Sequence, residues 1–507
     1  MRHPPLRQAV AVGLFVAKLS VWVAVSAVPA AAAPSAAASP ASAPLLTPCR
    51  LPGVENGAQC GVLLRPLNPA EPGGRQIELH FAVLPALARN KKPDPVFFFA
   101  GGPGQSALAL AGPLSRQLAR LSNRRDVVLI DQRGTGKSAP LKCDEDPPTR
   151  PMAEQTDPAV QALLLRQCRE KLMALPHGDL RRYTTTIAMQ DADAVRQALG
   201  AAQLNLVGGS YGTRAALEYL RQFPQAVRRV VIDGVAPPDT VLPASFSTDG
   251  QAAFDAMLAA CEADKSCALR YPTLRADWAA LLASLPRTVT AAHPVTALTE
   301  TFTLSRDAVL GMVRMPLYVP ALASTLPLAV TEAARGRVGP LLGLSTVMSS
   351  ARNTALAGGM HFSVICAEDV PRLAQALDKP GADFGGSAAG LYTRTCADWP
   401  RGDVPAAFYS LPTANSAVLV LSGGADPATP PRHGARVAAA LGAKARHEVV
   451  PQAGHGVMGL GCMRDVVFRF IDANTDEEAL KVDADCAKSI PRPLPFIPVS
   501  AATQAQP

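Results

Sequence analysis

Short β-rich runs recur along the chain, several of them continuous and apolar and bounded by Gly, Pro or Asp. They are GVLLRPL from Gly61, IELHFAVLPA from Ile77, PVFFFAGG from Pro95, DVVLIDQRG from Asp126, LNLVGG from Leu204, RRVVIDGVAPP from Arg228, AVLVLSGG from Ala417 and RHEVVPQAG from Arg446. Runs of this length without alternation predict strands buried on both faces of a mostly parallel sheet. Helical periodicity fills the gaps, at 107–121, 187–199, 214–223 and 432–441. Strand and helix in alternation predict an α/β fold with right-handed crossovers. The runs at 61 and 77 have no helix between them and predict an antiparallel hairpin at the sheet edge.

The alternation stops between about Asp239 and Tyr409. There the pattern is mostly amphipathic helix, as in AAFDAMLAACEADKSCALRY, TLRADWAALLASL and VPALASTLPLAVTEAAR. This reads as a helical cap inserted between two sheet strands, lying over the carboxyl edge where open α/β sheets bind ligands. The expected organisation is a core in two parts, 49–238 and 410–490, the cap at 239–409, and a Pro-rich tail at 491–507.

The N-terminus changes the picture. It has a basic start, an apolar stretch and small residues at Ala30 to Ala33, the pattern of an export signal over 1–33. Lys18, in the middle of the apolar stretch, favours a signal over a membrane anchor. An Ala/Ser/Pro-rich tract over 34–48 reads as a linker. Export, periplasmic or extracellular, agrees with the ten cysteines, an even number that favours disulfides in such a chain. Ten thiols allow many connectivities, but they fall in local couples. The expected pairs are Cys49 with Cys60, Cys143 with Cys168, Cys261 with Cys267, Cys366 with Cys396, and Cys462 with Cys486. No Cys-x-x-Cys or Cys/His cluster points to zinc.

The formal net charge is +8, modest for 507 residues, and Arg2, Arg7 and Lys18 lie in the leader. No basic run carries interleaved aromatics, so nucleic acid is not an expected partner. Nor is stable membrane association expected after signal cleavage.

The chemistry is concentrated where strands end. LNLVGGSYGTR runs a strand into Gly-x-Ser-x-Gly and then a helix, the layout of a nucleophile elbow with Ser210 at its tip. Asp426 follows the strand AVLVLSGG and His455 follows RHEVVPQAG. The order Ser, Asp, His is that of the α/β-hydrolases. A serine hydroxyl needs a histidine to take its proton, and the acid orients and stabilises that histidine. His433, at a helix start, and His447, at a strand start, are less well placed as bases. The loop Gly101-Gly102-Pro103-Gly104 supplies an oxyanion donor, the amide of Gly102, to pair with that of Tyr211.

Together, GGPG, DQRGTGKS at Asp131 to Ser138, GGSYGTR, GADPATPP and AGHG resemble the proline iminopeptidase and tripeptidyl aminopeptidase group of α/β-hydrolases. The likeness spans most of 60–480, with a TAP-like C-terminal region. The resemblance implies removal of residues from a free peptide N-terminus without metal or organic cofactor. Ala100 stands where iminopeptidases carry a histidine. An aminopeptidase must hold an ammonium group, and Glu368 and Asp369 in the cap are the acids assigned to it; the competing reading is a solvated acidic pair at a helix start, favoured by the dipole. For Asp131 and Arg133, pairing with each other to fix the loop is preferred to contact with substrate. The expected substrate is a short peptide. A small ester cleaved by the same triad is the alternative, and a non-catalytic binding protein on this scaffold is disfavoured because all three triad residues are present.

Overall fold

The computed structural model describes residues 44–144, 147–353 and 356–498. The export signal at 1–33 lies outside them. The linker tract lies outside them up to residue 43, but its last residues already belong to the first strand, β1 (Leu46–Cys49). β1 has four residues and includes Pro48, which a sheet tolerates at its edge.

Eight further strands complete the main sheet: β2 (Ala58–Pro66), β3 (Gln76–Leu84), β4 (Val96–Phe99), β5 (Val127–Ile130), β6 (Leu204–Gly209), β7 (Val227–Asp233), β10 (Ala417–Gly423) and β11 (Ala445–Val450). Between β7 and β10 in the chain, β8 (Arg287–Ala292) and β9 (Thr299–Leu304) form a separate antiparallel pair. The order in the nine-stranded sheet is β1-β2-β3-β5-β4-β6-β7-β10-β11. β1, β2, β3 and β5 pair antiparallel, and from β5 to β11 every pairing is parallel. The edge hairpin predicted for the two early runs is therefore present as β2–β3, with β1 added outside it.

Side chains of the central strands alternate between two apolar layers, which is why β4 (VFFF) and β5 (VVLI) show no polar positions. Phe98, Leu129, Val207, Val231 and Leu419 pack on one face against Leu114, Leu118, Val466 and Phe470. Phe97, Val128, Leu206, Val230 and Val418 pack on the other against Met189, Leu217, Leu220 and Val437. Parallel register sets Phe99 beside Gly208, Gly209 beside Asp233, and Gly423 beside Val450. The loops after β4, β6, β7, β10 and β11 consequently emerge at one edge.

The cap has its own core, built on Phe254, Trp278, Leu281, Leu310, Val313 and Val330. It departs from the expected helical insertion in two ways. The β8–β9 hairpin lies inside it, with Val289, Phe302 and Leu304 turned inward and threonines outward. A second excursion, following β5, joins it: Met152 is part of the cap core, its amide donates to Glu300 Oε2 at 2.7 Å, and Thr156 Oγ1 donates to the Thr303 carbonyl at 3.2 Å. All five expected disulfides are formed. No helix among the described residues is long and apolar enough to cross a membrane.

Candidate active site

Ser210 stands between β6 and the buried helix Tyr211–Gln222 with φ 55° and ψ −124°. A non-glycine residue at positive φ costs on the order of 1–3 kcal/mol, and such strain persists only where the surroundings impose it. Here they do. A β-carbon on Gly212 would stand 2.0 Å from the Phe99 carbonyl oxygen, and one on Gly208 would stand 2.3 Å from that of Gly212. The two glycines of Gly-x-Ser-x-Gly thus let helix and strand approach closely enough to hold the turn. The Ser210 amide donates to the Asp233 carbonyl at 2.9 Å, tying the elbow to the end of β7.

Asp426 and His455 meet as the sequence predicts. His455 Nδ1–H donates to Asp426 Oδ2 at 2.8 Å. The other carboxylate oxygen accepts from the amides of Ala428 and Thr429 at 2.8 and 2.9 Å, and the Thr429 hydroxyl donates to Oδ2 at 2.7 Å. Burial would raise the Asp426 carboxyl, but the His455 charge and these donors hold it below the ordinary range. Burial likewise disfavours the imidazolium, yet the Asp426 carboxylate outweighs it and pushes His455 up to about 9. The histidine is 16% exposed. A β-carbon on Gly234, the residue after β7, would stand 3.2 Å from its Cε1. Nucleophile and base therefore flank the same strand end.

Gly101 borders the nucleophile, since a β-carbon there would lie 3.1 Å from that of Ser210. Gly102 has φ +113°, open to glycine and costly for other residues, and its bond to Pro103 is cis. Tyr211 is the first residue of its helix, where amides lack intrahelical partners and the dipole favours negative charge. Tyr211 follows Ser210 directly in the chain, and Gly102 follows Gly101, which borders it.

Two residues that the motifs did not reveal position the histidine loop. Tyr318, from the cap, accepts the His455 amide on its carbonyl at 2.9 Å and sets its ring edge-on to the imidazole at 5.0 Å. Asp233 Oδ2 accepts the amides of Val457 and Met458, both at 2.7 Å. Burial pushes the Asp233 carboxyl up to about 6 against the pull of those amides and of His455. The Asp that closes the apolar run Val230, Val231, Ile232 at the end of β7 is the signal that could have found it.

Glu368 and Asp369 do not form the expected ammonium site. Both are fully buried, and both pair with Arg214 of the elbow helix. Arg214 Nη1 lies 2.9 Å from Asp369 and 3.4 Å from Glu368, and Nη2 donates to Asp369 at 3.1 Å. Glu368 also accepts from the amide and hydroxyl of Thr185, at 2.7 and 3.0 Å. The Thr185 hydroxyl is 2.6 Å from that of Tyr211. The acids are neither solvated nor presented to a substrate; they brace the cap against the elbow. The assignments in the Asp-Gln-Arg-Gly turn also change. Arg133 grips Asp191 at 2.7 and 2.9 Å, while Asp131 accepts from the Ser106 hydroxyl and the Leu108 amide. His433 is bonded to Asp249 and His447 to Ser422, outside the triad.

One guanidinium shared between two buried carboxylates leaves an excess negative charge, so burial pushes Glu368 up to about 7 from an ordinary 4.5, opposed by Arg214. Folding then favours its protonated form. Its stabilising contribution is present below about 4.5 and is lost as the pH rises through about 7. Arg214→Met is expected to lower the unfolding free energy by about 3–5 kcal/mol near pH 8 by stranding both acids. Urea denaturation should find a smaller loss at pH 5, where Glu368 is neutral. An equal loss at both pH values would contradict the brace.

The α/β-hydrolase fold family matches residues 94–280, and the TAP-like protein family matches residues 383–484. A tripeptidyl aminopeptidase of Streptomyces lividans is 33% identical over 192 residues, 36% of this chain and 36% of that protein, so the matched stretch is about a third of the relative. Serine protease Hip1 of Mycobacterium tuberculosis (strain ATCC 25618 / H37Rv) is 28% identical over 435 residues, 77% of this chain and 81% of that one. Carboxylesterase B of Mycobacterium tuberculosis (strain CDC 1551 / Oshkosh) is 28% identical over 422 residues, 76% of this chain and 78% of that one.

Proposed function

The chain belongs to the α/β-hydrolases with a TAP-like C-terminal region and is a serine hydrolase, and on that premise we propose that it is an exported peptidase releasing short peptides from a free N-terminus. The observation that carries the reading is the strained Ser210 elbow beside a His455–Asp426 pair bonded at 2.8 Å. His455 Nε2 takes the Ser210 proton as Oγ attacks the scissile carbonyl. The oxyanion is held by the amides of Gly102 and Tyr211, and the imidazolium returns its proton to the departing amine. Water, activated by the same histidine, then hydrolyses the acyl-enzyme. Export is supported by the N-terminal pattern and by five disulfides, which persist in oxidising compartments. A peptide substrate is supported by the relatives named as peptidases.

An ester substrate is the second reading. Burial of Glu368 and Asp369 against Arg214 favours it, because an ester needs no amine anchor. A panel of amide substrates with free and acetylated N-termini, run beside simple esters, separates the two. The peptidase reading expects a higher kcat/KM on the free amines. Equal rates on blocked peptides, or turnover of esters alone, would transfer the assignment to an esterase.

A further inference from the structure

A cavity of about 490 Å³ opens between the cap and the helix Pro158–Met173. Phe246, Phe384, Leu391 and Trp399 give it apolar walls. Its charge is uneven, for Arg166, Arg169, Arg314 and Arg394 face only Asp307 and Asp398. Asp398 is already engaged, 3.4 Å from Arg169.

Arg314 is the residue that this imbalance leaves exposed to a ligand. The fully buried arginines Arg125, Arg133 and Arg214 each meet a carboxylate. Arg314, half-buried, meets none among the described residues. It is held by rings, 4.5 Å from the centroid of Phe246 and 5.5 Å from that of Tyr318, and Nη2 donates to the Tyr318 hydroxyl at a long 3.3 Å. Its Nε is buried without a hydrogen-bond partner. Stacking fixes the plane of the guanidinium and leaves donors unused, the state of a fork prepared for a carboxylate.

The cavity also adjoins the chemistry on two sides. Tyr318, under Arg314, packs on His455. Phe246, also against Arg314, lies 6.3 Å from Tyr392, whose hydroxyl is 2.8 Å from His361 Nε2; His361 Nδ1 is in turn 3.1 Å from the carbonyl of Pro103 in the oxyanion loop. Tyr318, in contact with both side chains, is thus the residue that links the cavity's Arg314 to His455.

We propose that Arg314 is a specificity-determining residue that binds a carboxylate of the substrate, so that this hydrolase prefers acidic substrates with an apolar body over their neutral counterparts. The proposal rests on the hydrolase reading for the position of the scissile carbonyl, and it holds for either a peptide or an ester. In a peptide the carboxylate is the C-terminus or an acidic side chain.

Three matched pairs distinguish these sources: a free-amine peptide with a C-terminal carboxylate or amide; the amidated peptide carrying Glu or Gln; and the 4-nitrophenyl ester of a dicarboxylic acid with its far end free or methylated. The quantity read is the ratio of kcat/KM within each pair. The wild type is expected to prefer the acidic member of at least one pair. Arg314→Met should reduce that preference on the order of 10²-fold, and Arg314→Lys, which keeps the charge and loses the fork, should retain part of it. If Arg314→Met does not fold, as judged by fluorophosphonate labelling of Ser210, the lysine variant carries the test and must still lose about tenfold. A wild type that discriminates in no pair, or variants with its full preference, would overturn the proposal. Failure of the peptidase reading alone would appear differently, as turnover confined to the ester pair with the Arg314 dependence intact.

Discussion

Replacing Ser210 by alanine is expected to lower kcat by about 10⁴- to 10⁶-fold while leaving the unfolding midpoint within the range of a surface substitution, or somewhat raised. The loss is large because alanine removes the atom that forms the covalent bond, and His455 then has no hydroxyl from which to take a proton. What persists is the contribution of the oxyanion amides and of binding, which acts on water as nucleophile. The fold should survive because the hydroxyl is not what holds the turn. The backbone does that, through the Ser210 amide on Asp233 and the close approach of Gly212 to Phe99. Alanine at φ 55° bears the same strain as serine. Single-turnover kinetics beside circular dichroism check both halves, and full activity in the variant would require another nucleophile.

The second large effect is on the acid. Asp426→Asn should lower kcat/KM by roughly 10⁴-fold, because an amide presents the wrong hydrogen-bond partner to Nδ1 and no longer stabilises the imidazolium. The pH profile carries the sign. His455 works as a base only when neutral, and the Asp426 carboxylate favours its charged form, pushing it up to about 9. Activity of the wild type should therefore climb with pH along a limb displaced upward from the ordinary 6.5 toward about 9. In the asparagine variant the residual limb should fall back toward or below 6.5, since burial, which opposes the charge, is then uncompensated. A limb unmoved by the substitution would detach Asp426 from His455.

The same two residues illustrate which features sequence makes legible. β4 and β5 are readable because burial on both faces removes every polar position from a short run, β6, β7 and β10 because an apolar run still fills most of the strand, and the triad is readable because each member follows a strand at the carboxyl edge. The disulfides are readable because their cysteines lie 6 to 30 residues apart and the chain has no other thiols to confuse them. Long-range partners are another matter. Glu368 and Asp369 look like free acids in sequence because the cation that neutralises them, Arg214, is 154 residues away on a helix otherwise packed as core. The β8–β9 hairpin escapes notice because two six-residue, threonine-rich strands with only Val289, Phe302 and Leu304 turned inward show little contrast beside long amphipathic helices. Tyr318 and Arg314 belong to a stretch that reads only as cap, and their place beside His455 and the cavity depends on how that cap folds back over the sheet.

A serine hydrolase of this kind forms its covalent bond at one atom, Ser210 Oγ. Wild-type protein treated with a fluorophosphonate and digested should carry a single label, on Ser210, at a rate that rises with pH as His455 loses its proton and that falls in Asp426→Asn. A label on any other residue, or a folded wild type that takes none, would contradict it.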